Sequence, residues 1–436
     1  MSILLYSPQL TPRLRYITKF LFGEIMGAAF NLTSDKVIFM EYSGPKINYS
    51  DHPFGDEIFL YATRLLFEKG IRDQQINVFE WNDTKAFYAT HPRYAFPFDV
   101  FAASFYLVSR YEEYLPQLRD EHNRFSPSGS LAFEKKFLQK PLIDIWVQMI
   151  KKIISERFPR FTFSPRSFRF LSTIDVDSAY AYRGKGLMRN AAAGLRSLIN
   201  ADFSEIAERV KVLAGMREDP YDTYAMQLSM MQKYKFPQLY FFLLGDYGRN
   251  DKNVPFTSAR FQVLMKSVSD YAQVGIHPSY ASNQHSGILI KEINRLSKIL
   301  KREVTKSRQH YLKLNLPETY RRLTAADITE DYTMGYASQV GFRASTCTPF
   351  FFYDLDLETE CKLKVFPFAL MDGTLREYMK LSPGEATDKA KSLIDEVKKV
   401  NGMFISLWHN HTLSNQGDWE GWLPVYEEII KYAACP

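Results

Sequence analysis

Residues 168–182 read FRFLSTIDVDSAYAY. An apolar run ends in two carboxylates, Asp175 and Asp177, with Val176 between them. Leu171 and Ile174 fit a strand buried on both faces, and the polar residues after them fit its end. In α/β sheets, ligands sit beyond the carboxyl ends of the strands. Residues two apart on a strand point to the same face, so both carboxylates arrive together. Two such groups repel unless a cation or a proton lies between them. One then serves as a hard metal ligand and the other as a base. The plainer alternative at this point is a surface turn in which an Asp caps a helix.

The chain has 436 residues, more than one ordinary core, so the expectation is two domains or one large α/β unit with additions. A hydrophobic fraction of 46% with 24% charged residues excludes disorder. The net charge of +6 is spread along the chain, and no nucleic-acid motif is present, so no nucleic-acid partner is expected. Cys347, Cys361 and Cys435 form no paired framework and no CxxC spacing, and read as reduced thiols. Arg13, Arg15 and Lys19 precede FLFGEIMGAAF, but Glu24 interrupts this stretch, so it fails as a signal peptide. No apolar run is long enough to span a bilayer, and a cytoplasmic location is expected.

Residues 1–163 carry no catalytic spacing. Lys36–Met40 reads as a strand, Phe98–Tyr114 as a helix ended by Pro116, and Pro141–Phe158 as a second helix. The charge-dense run RYEEYLPQLRDEHNRFSP reads as a solvated face. A boundary is placed at the prolines 159 and 165. After the paired acids comes a helical insertion at about 183–224, with GKGLMRNAAAGLRSLI and FSEIAERVKVLAGM. The first is basic and amphipathic, which admits peripheral contact with an anionic membrane surface. Strands and helices then alternate. QLYFFLL (238–244), Val274–His277, Ser307–Tyr311, Gly341–Arg343, Lys364–Leu370 and MFISLW (403–408) read as strands or strand ends. Helices are read at 256–273, 288–300, 317–325, 386–400 and 422–433. Such alternation favours a parallel sheet or barrel.

Polar groups gather at the strand ends: Asp175 and Asp177, His277, Arg308 and His310, Asp331, Arg343, His409 and His411. A lone histidine after an apolar run is usually structural. Several at the same end of successive strands, with a carboxylate, suit a divalent transition ion such as Zn²⁺.

The segments TIDVD, GIHPSYAS, SRQHYLKL, DYTMGYASQVGFRASTC and SLWHNH together resemble the polysaccharide deacetylases of the NodB-homology, or carbohydrate esterase family 4, type. More narrowly, the chain looks like a divergent Bacteroidetes-type branch, in which that domain follows an N-terminal domain of unknown function. The resemblance implies an α/β fold: a distorted (β/α) barrel over residues 164–436, preceded by a smaller α/β or α+β domain at 1–163. It implies Asp175 as base, Asp177 and His277 as metal ligands, and Arg308 as the arginine that holds the base. The family's second histidine ligand lies four residues after the first, where this chain has Ala281. His310 then supplies the missing ligand. Asp331 stands for the acid that tunes the catalytic histidine, and His409, ahead of His411, is the general acid.

The expected activity is metal-dependent removal of an acetyl group from an N-acetylated or O-acetylated sugar of a surface-glycan precursor, with zinc and no organic cofactor. Two other readings remain open on the residues alone. One is a carbohydrate-binding protein without catalysis. The other is a glycoside hydrolase using two carboxylates about 5–10 Å apart, for which Asp331 and Asp372 are the available partners of Asp175.

Overall fold

Residue 175 sits at the end of a strand flanked on both sides, and the sheet around it sets the architecture. The computed structural model describes residues 1–434; Cys435 lies outside the described residues. The chain begins with a small parallel sheet of β1 (Ile3–Tyr6), β2 (Phe30–Thr33), β3 (Lys46–Ser50) and β4 (Ile58–Tyr61), in the order β2-β1-β3-β4. A hairpin of β5 (Phe79–Trp81) and β6 (Thr84–Ala86) follows. The large sheet is built from β7 (Arg169–Val176), β8 (Gln238–Leu243), β9 (Gln273–His277), β10 (Lys306–Ser307) and β11 (Glu330–Asp331). It is completed by β12 (Phe350–Asp354), β13 (Thr359–Val365), β14 (Leu370–Met371) and β15 (Met403–His409).

Its order is β12-β13-β11-β10-β9-β8-β7-β15-β14, with every pairing parallel except β12 with β13. This is the α/β class expected, with strands joined by helices. The edges β14 and β12 do not pair in the ladder, so the barrel is incomplete as a hydrogen-bonded ring. β7 is central and buried from Phe170 to Val176, which explains its continuous apolar character. Parallel register puts His409 opposite Asp175 and His277 opposite Leu243. The strand ends that carry polar groups therefore share one edge of the sheet.

Helices follow local signals. Pro383–Lys399 opens with a capping box between Ser382 and Glu385 and a proline in its first turn. Val100–Val108 is capped by Asp99, which also accepts from Tyr49 and Thr63. It ends earlier than its apolar pattern, because Arg110 turns left-handed before a 3₁₀ turn at Tyr111–Tyr114. The insertion holds two helices, Leu187–Ile199 and Phe203–Leu213, with Met188, Leu195, Leu198, Ile199 and Phe203 exposed. No helix among the described residues is long and apolar enough to cross a membrane.

Four local expectations fail. Lys36–Glu41 is a helix, not a strand, because Asp35 caps the N–H groups of Val37 and Ile38 and this overrides β-propensity. Gly341–Arg343 is a loop. Gly341 has φ +127°, and a Cβ there would meet the Leu138 carbonyl. The strand at 307 stops at once, and Tyr311 and Leu312 adopt φ of 59° and 52° in a 3₁₀ turn. Lys364–Leu370 splits between the end of β13 and the start of β14.

Segments before residue 163 are tied to the large sheet by buried charge. Glu113 receives Arg343 through Nε at 2.9 Å and Nη2 at 2.6 Å, and Arg110 Nε at 2.7 Å. Arg110 also donates to the Arg343 carbonyl and reaches Glu112 at 2.8 Å. Asp144 accepts from Thr346, Thr348 and the Cys347 amide. Arg343 thus serves as a buried tie rather than a strand-end site group. Removing one member of a buried ionic cluster strands the others without water. Glu113→Gln is expected to lower unfolding stability by about 3–5 kcal/mol, read from the midpoint of a urea titration.

Candidate metal centre

Asp177 lies just past β7 and is partly exposed, while His277, the last residue of β9, is buried. His310 lies in the left-handed turn after β10 and is buried. One ligand atom from each of the three falls within 4.8 Å of the others. His277 Nε2 is 3.1 Å from Asp177 Oδ1, and His310 Nε2 is 3.6 Å from Asp177 Oδ2.

The outer nitrogens fix the tautomers. His277 Nδ1 lies 2.5 Å from the Arg308 carbonyl, which can only accept, so Nδ1 carries the proton and Nε2 faces Asp177. His310 Nδ1 donates to Asp251 Oδ1 at 2.8 Å. Carbonyl and carboxylate partners of this kind are what orient metal-ligating imidazoles. His277 Nε2 and Asp177 Oδ1 are buried and make no hydrogen bond. Unsatisfied buried polar atoms are rare in native structures. Two of them, converging with a third imidazole, fit a cation. Two nitrogens and a carboxylate oxygen suit Zn²⁺.

Asp175 is buried beside this cluster. Its Oδ1 accepts from Arg308 Nη1 at 2.9 Å, and its Oδ2 is 3.7 Å from His277 Nε2. Loss of water would raise the Asp177 carboxyl, but the charges of His310 and His409 outweigh it and hold the group well below the usual range. Burial opposes charging of His310, yet Asp177 and Asp251 push it up to about 9.

His409 ends β15, with Nε2 3.7 Å from Asp177 Oδ2. Its Nδ1 is 2.9 Å from Asp372 Oδ1, and its backbone N–H donates to Asp372 Oδ2. Burial works against the imidazolium, but Asp372 and then Asp177 raise it to about 10. His411 goes the other way. Burial and the neighbouring His409 lower it to about 4. The two histidines are therefore unlike: one is shifted toward its charged form and the other away from it.

The assignment of Asp331 is corrected. Its carboxylate accepts from Ser307 Oγ and from Thr333 N and Oγ1 inside the sheet. The carboxylate on His409 is Asp372, at the end of β14. The signal was present, since ALMD ends an apolar run in an acid just as TIDVD does. Asp251 was missed because it lies in a loop after β8 with no motif around it. It also accepts the Tyr280 N–H at 2.9 Å, so it joins the 280–281 loop to His310. Arg124 was missed too, read only as part of a charged run.

Asp175, Asp177, His277, His310, Asp372, His409 and His411 line a cavity of about 260 Å³, together with Arg124, Tyr311, Tyr378 and Trp419. Behind it, Glu292 clamps the loop after His277, accepting from Ser279 N at 2.9 Å and Ser279 Oγ at 2.6 Å. Burial raises Glu292 to about 7 despite those donors.

A family of unknown function, DUF7033, matches residues 3–159. No curated protein matches the chain. Among solved structures, a protein from Mycobacterium smegmatis described as a polysaccharide deacetylase superposes with a TM-score of 0.40 at 11% identity, over 63% of this chain and 87% of its own. The PuuE allantoinase gives 0.38 at 12%, over 63% and 91%. A wild-type pseudoenzyme of carbohydrate esterase family 4 from Bacillus anthracis gives 0.31 at 10%, over 61% and 62%.

Two outcomes are expected. Asp251→Asn should weaken zinc binding about 10–100-fold, measured by competition with a chromogenic chelator. The second concerns pH. The folded Glu292 carboxyl titrates at about 7 and its ordinary value is 4.5. Between these values the folded chain holds a proton that the unfolded chain has lost, so stability falls as pH rises through this window. The loss approaches ~3 kcal/mol. Urea titrations at either end of the window should show it in the native protein and a flatter profile in Glu292→Gln.

Proposed function

We propose that the chain is a metal-dependent deacetylase, with zinc held by Asp177, His277 and His310, acting on an N-acetylated or O-acetylated sugar. The observation that carries this reading is Asp175: a buried carboxylate with one oxygen fixed by Arg308 and the other turned to the candidate cation site. A divalent ion bound there would polarise the acyl carbonyl and acidify water.

The chain's own groups supply the proton transfers. Asp175 Oδ2 takes the proton of the attacking water. Arg308 keeps Asp175 from rotating away. His409 Nε2 gives a proton to the leaving nitrogen or oxygen, and Asp372 holds the ring by Nδ1–H. Attack and departure leave acetate and a free amino or hydroxyl group. His411, held neutral, is a poor proton donor beside a charged His409, which supports His409 as the acid.

Two carboxylates acting alone would need both to be free. Asp372 is engaged by His409, Gly373 and Thr412, and Asp331 by Ser307 and Thr333. That disfavours the glycoside-hydrolase reading. A binding protein without catalysis would have no use for a charged histidine poised against a clamped base.

Acetate release from acetylated hexosamines tests the proposal. Asp175→Asn should lower kcat about 10²–10⁴-fold with zinc content unchanged, and His409→Ala should do the same. His411→Ala should cost far less. Zinc-loaded protein that releases no acetate from N- or O-acetylated sugars would defeat the reading.

A further inference from the structure

A second cavity, of about 570 Å³, lies between the loop around Arg119–Asn123 and the segment around Lys313–Arg322. Lys313 lines it and is 3% exposed. Its ammonium rests 3.9 Å from the centre of the Tyr280 ring. It makes no hydrogen bond and no ion pair with any described residue. The stem of Lys313 is buried while its ammonium opens onto the hollow, so its charge is presented to whatever fills it.

The surroundings point to an anion as the occupant of the hollow. Arg119 and Arg322 line the same cavity. Each guanidinium commits a single nitrogen to protein acceptors, Arg119 to Asn315 and the Asn123 carbonyl, Arg322 to the Asn283 carbonyl. The others remain as donors. The two acids at the cavity, Glu121 and Glu318, are exposed at its rim and neither pairs with Lys313. Arg and Lys around one hollow, with amide side chains between them, are the recurrent recipe for phosphate.

Position joins this hollow to the metal centre. Lys313 is three residues after His310, and Tyr311 between them lines the first cavity. The rings of Tyr311, Tyr280 and His122 pack together, with centroids 5.4 Å apart for the two tyrosines and 4.8 Å for Tyr311 and His122. Tyr280 and His122 line the second cavity. One aromatic cluster thus borders both cavities.

We infer that the second cavity, centred on Lys313, binds a phosphate group of the substrate. The substrate class is then an acetylated sugar that carries a phosphate ester or diphosphate. The anion site stands on Lys313 and its surroundings; its place on the substrate rests on the deacetylase reading.

Calorimetric titration with inorganic phosphate and pyrophosphate tests the site without turnover. Full-length protein is used both zinc-loaded and EDTA-treated, so that binding to the cation is separated from binding at Lys313. Lys313→Met keeps the chain length and the contact with Tyr280. Arg322→Gln removes charge from the other side. Each should weaken anion binding at least about tenfold in both metal states, with unchanged thermal melting. Tighter binding of phosphate marks a monoester substrate, and tighter pyrophosphate a nucleotide- or lipid-linked diphosphate. Equal affinity in wild type and Lys313→Met, or no binding by metal-free wild type at millimolar anion, would overturn the site. In turnover, Lys313→Met should raise KM for an N-acetylhexosamine 1-phosphate and leave the neutral sugar unaffected. Anion binding at Lys313 with no acetate released from any sugar would refute the deacetylase reading and leave this site intact.

Discussion

A guanidinium with no access to water sits at the middle of the sheet edge. Arg308 is fully buried, packed against the rings of Phe241 and Phe368. Desolvating such a cation costs several kcal/mol unless charge and hydrogen bonds replace the water. Asp175 supplies the charge, Thr173 Oγ1 a hydrogen bond at 2.6 Å, and the Tyr332 carbonyl another at 2.9 Å. One side chain therefore holds β7 and the segments after β10 and β11 at a fixed separation. Its own carbonyl takes the proton of His277 Nδ1 and so sets which nitrogen that histidine offers. The proposed base and one candidate ligand are tied to the same residue.

That tie explains why the carboxylates and imidazoles can be so crowded. Asp175, Asp177, His277, His310 and His409 would repel or collapse on one another if free to move. Each instead has a second contact facing away from the cluster: Arg308 for Asp175, a carbonyl for His277, Asp251 for His310, Asp372 for His409. Asp177 is the exception, and it is also the most exposed of the group, at 27% against 17% for His409. The cluster is rigid around its rim and undetermined at its centre, which is where a cation would sit.

The parallel sheet and the residues at its edge were legible because burial on both faces writes unbroken apolar runs, and each run ended in a polar residue. TIDVD, GIH and SLWH are all of this kind. Asp372 carried the same mark, in a strand of only two residues, and was overshadowed by Asp331. Asp331 ends a strand as well, but its neighbours Ser307 and Thr333 turn it inward. Whether a strand-end acid faces the cavity or a neighbouring hydroxyl depends on side chains remote in sequence, and no local pattern reports it. Asp251 and Arg124 were invisible for a related reason: loops have no periodicity. The helix at Lys36 was a contest between β-branched residues and a cap, and one Asp decided it.

The turn at Tyr311 and Leu312 shows how far the first 160 residues enter the site. Two successive non-glycine residues in the left-handed region are costly and persist only when their surroundings hold them. Arg124 Nη1 donates to the Tyr311 carbonyl at 2.8 Å, and Asn283 Nδ2 to the Lys313 carbonyl at 2.6 Å. Arg124 is itself braced by Asp120, through Nε at 2.6 Å. This turn presents His310 on one side and Lys313 on the other. A histidine in an ordinary strand continuation would not reach Asp177 from this position, because the strand would carry it along the sheet instead of back toward β9. The brace comes from the charged run that looked like a solvated face. Ala281 stands where the resemblance places a ligand, and the placement of His310 beside Asp177 depends on a turn that the N-terminal region holds in place.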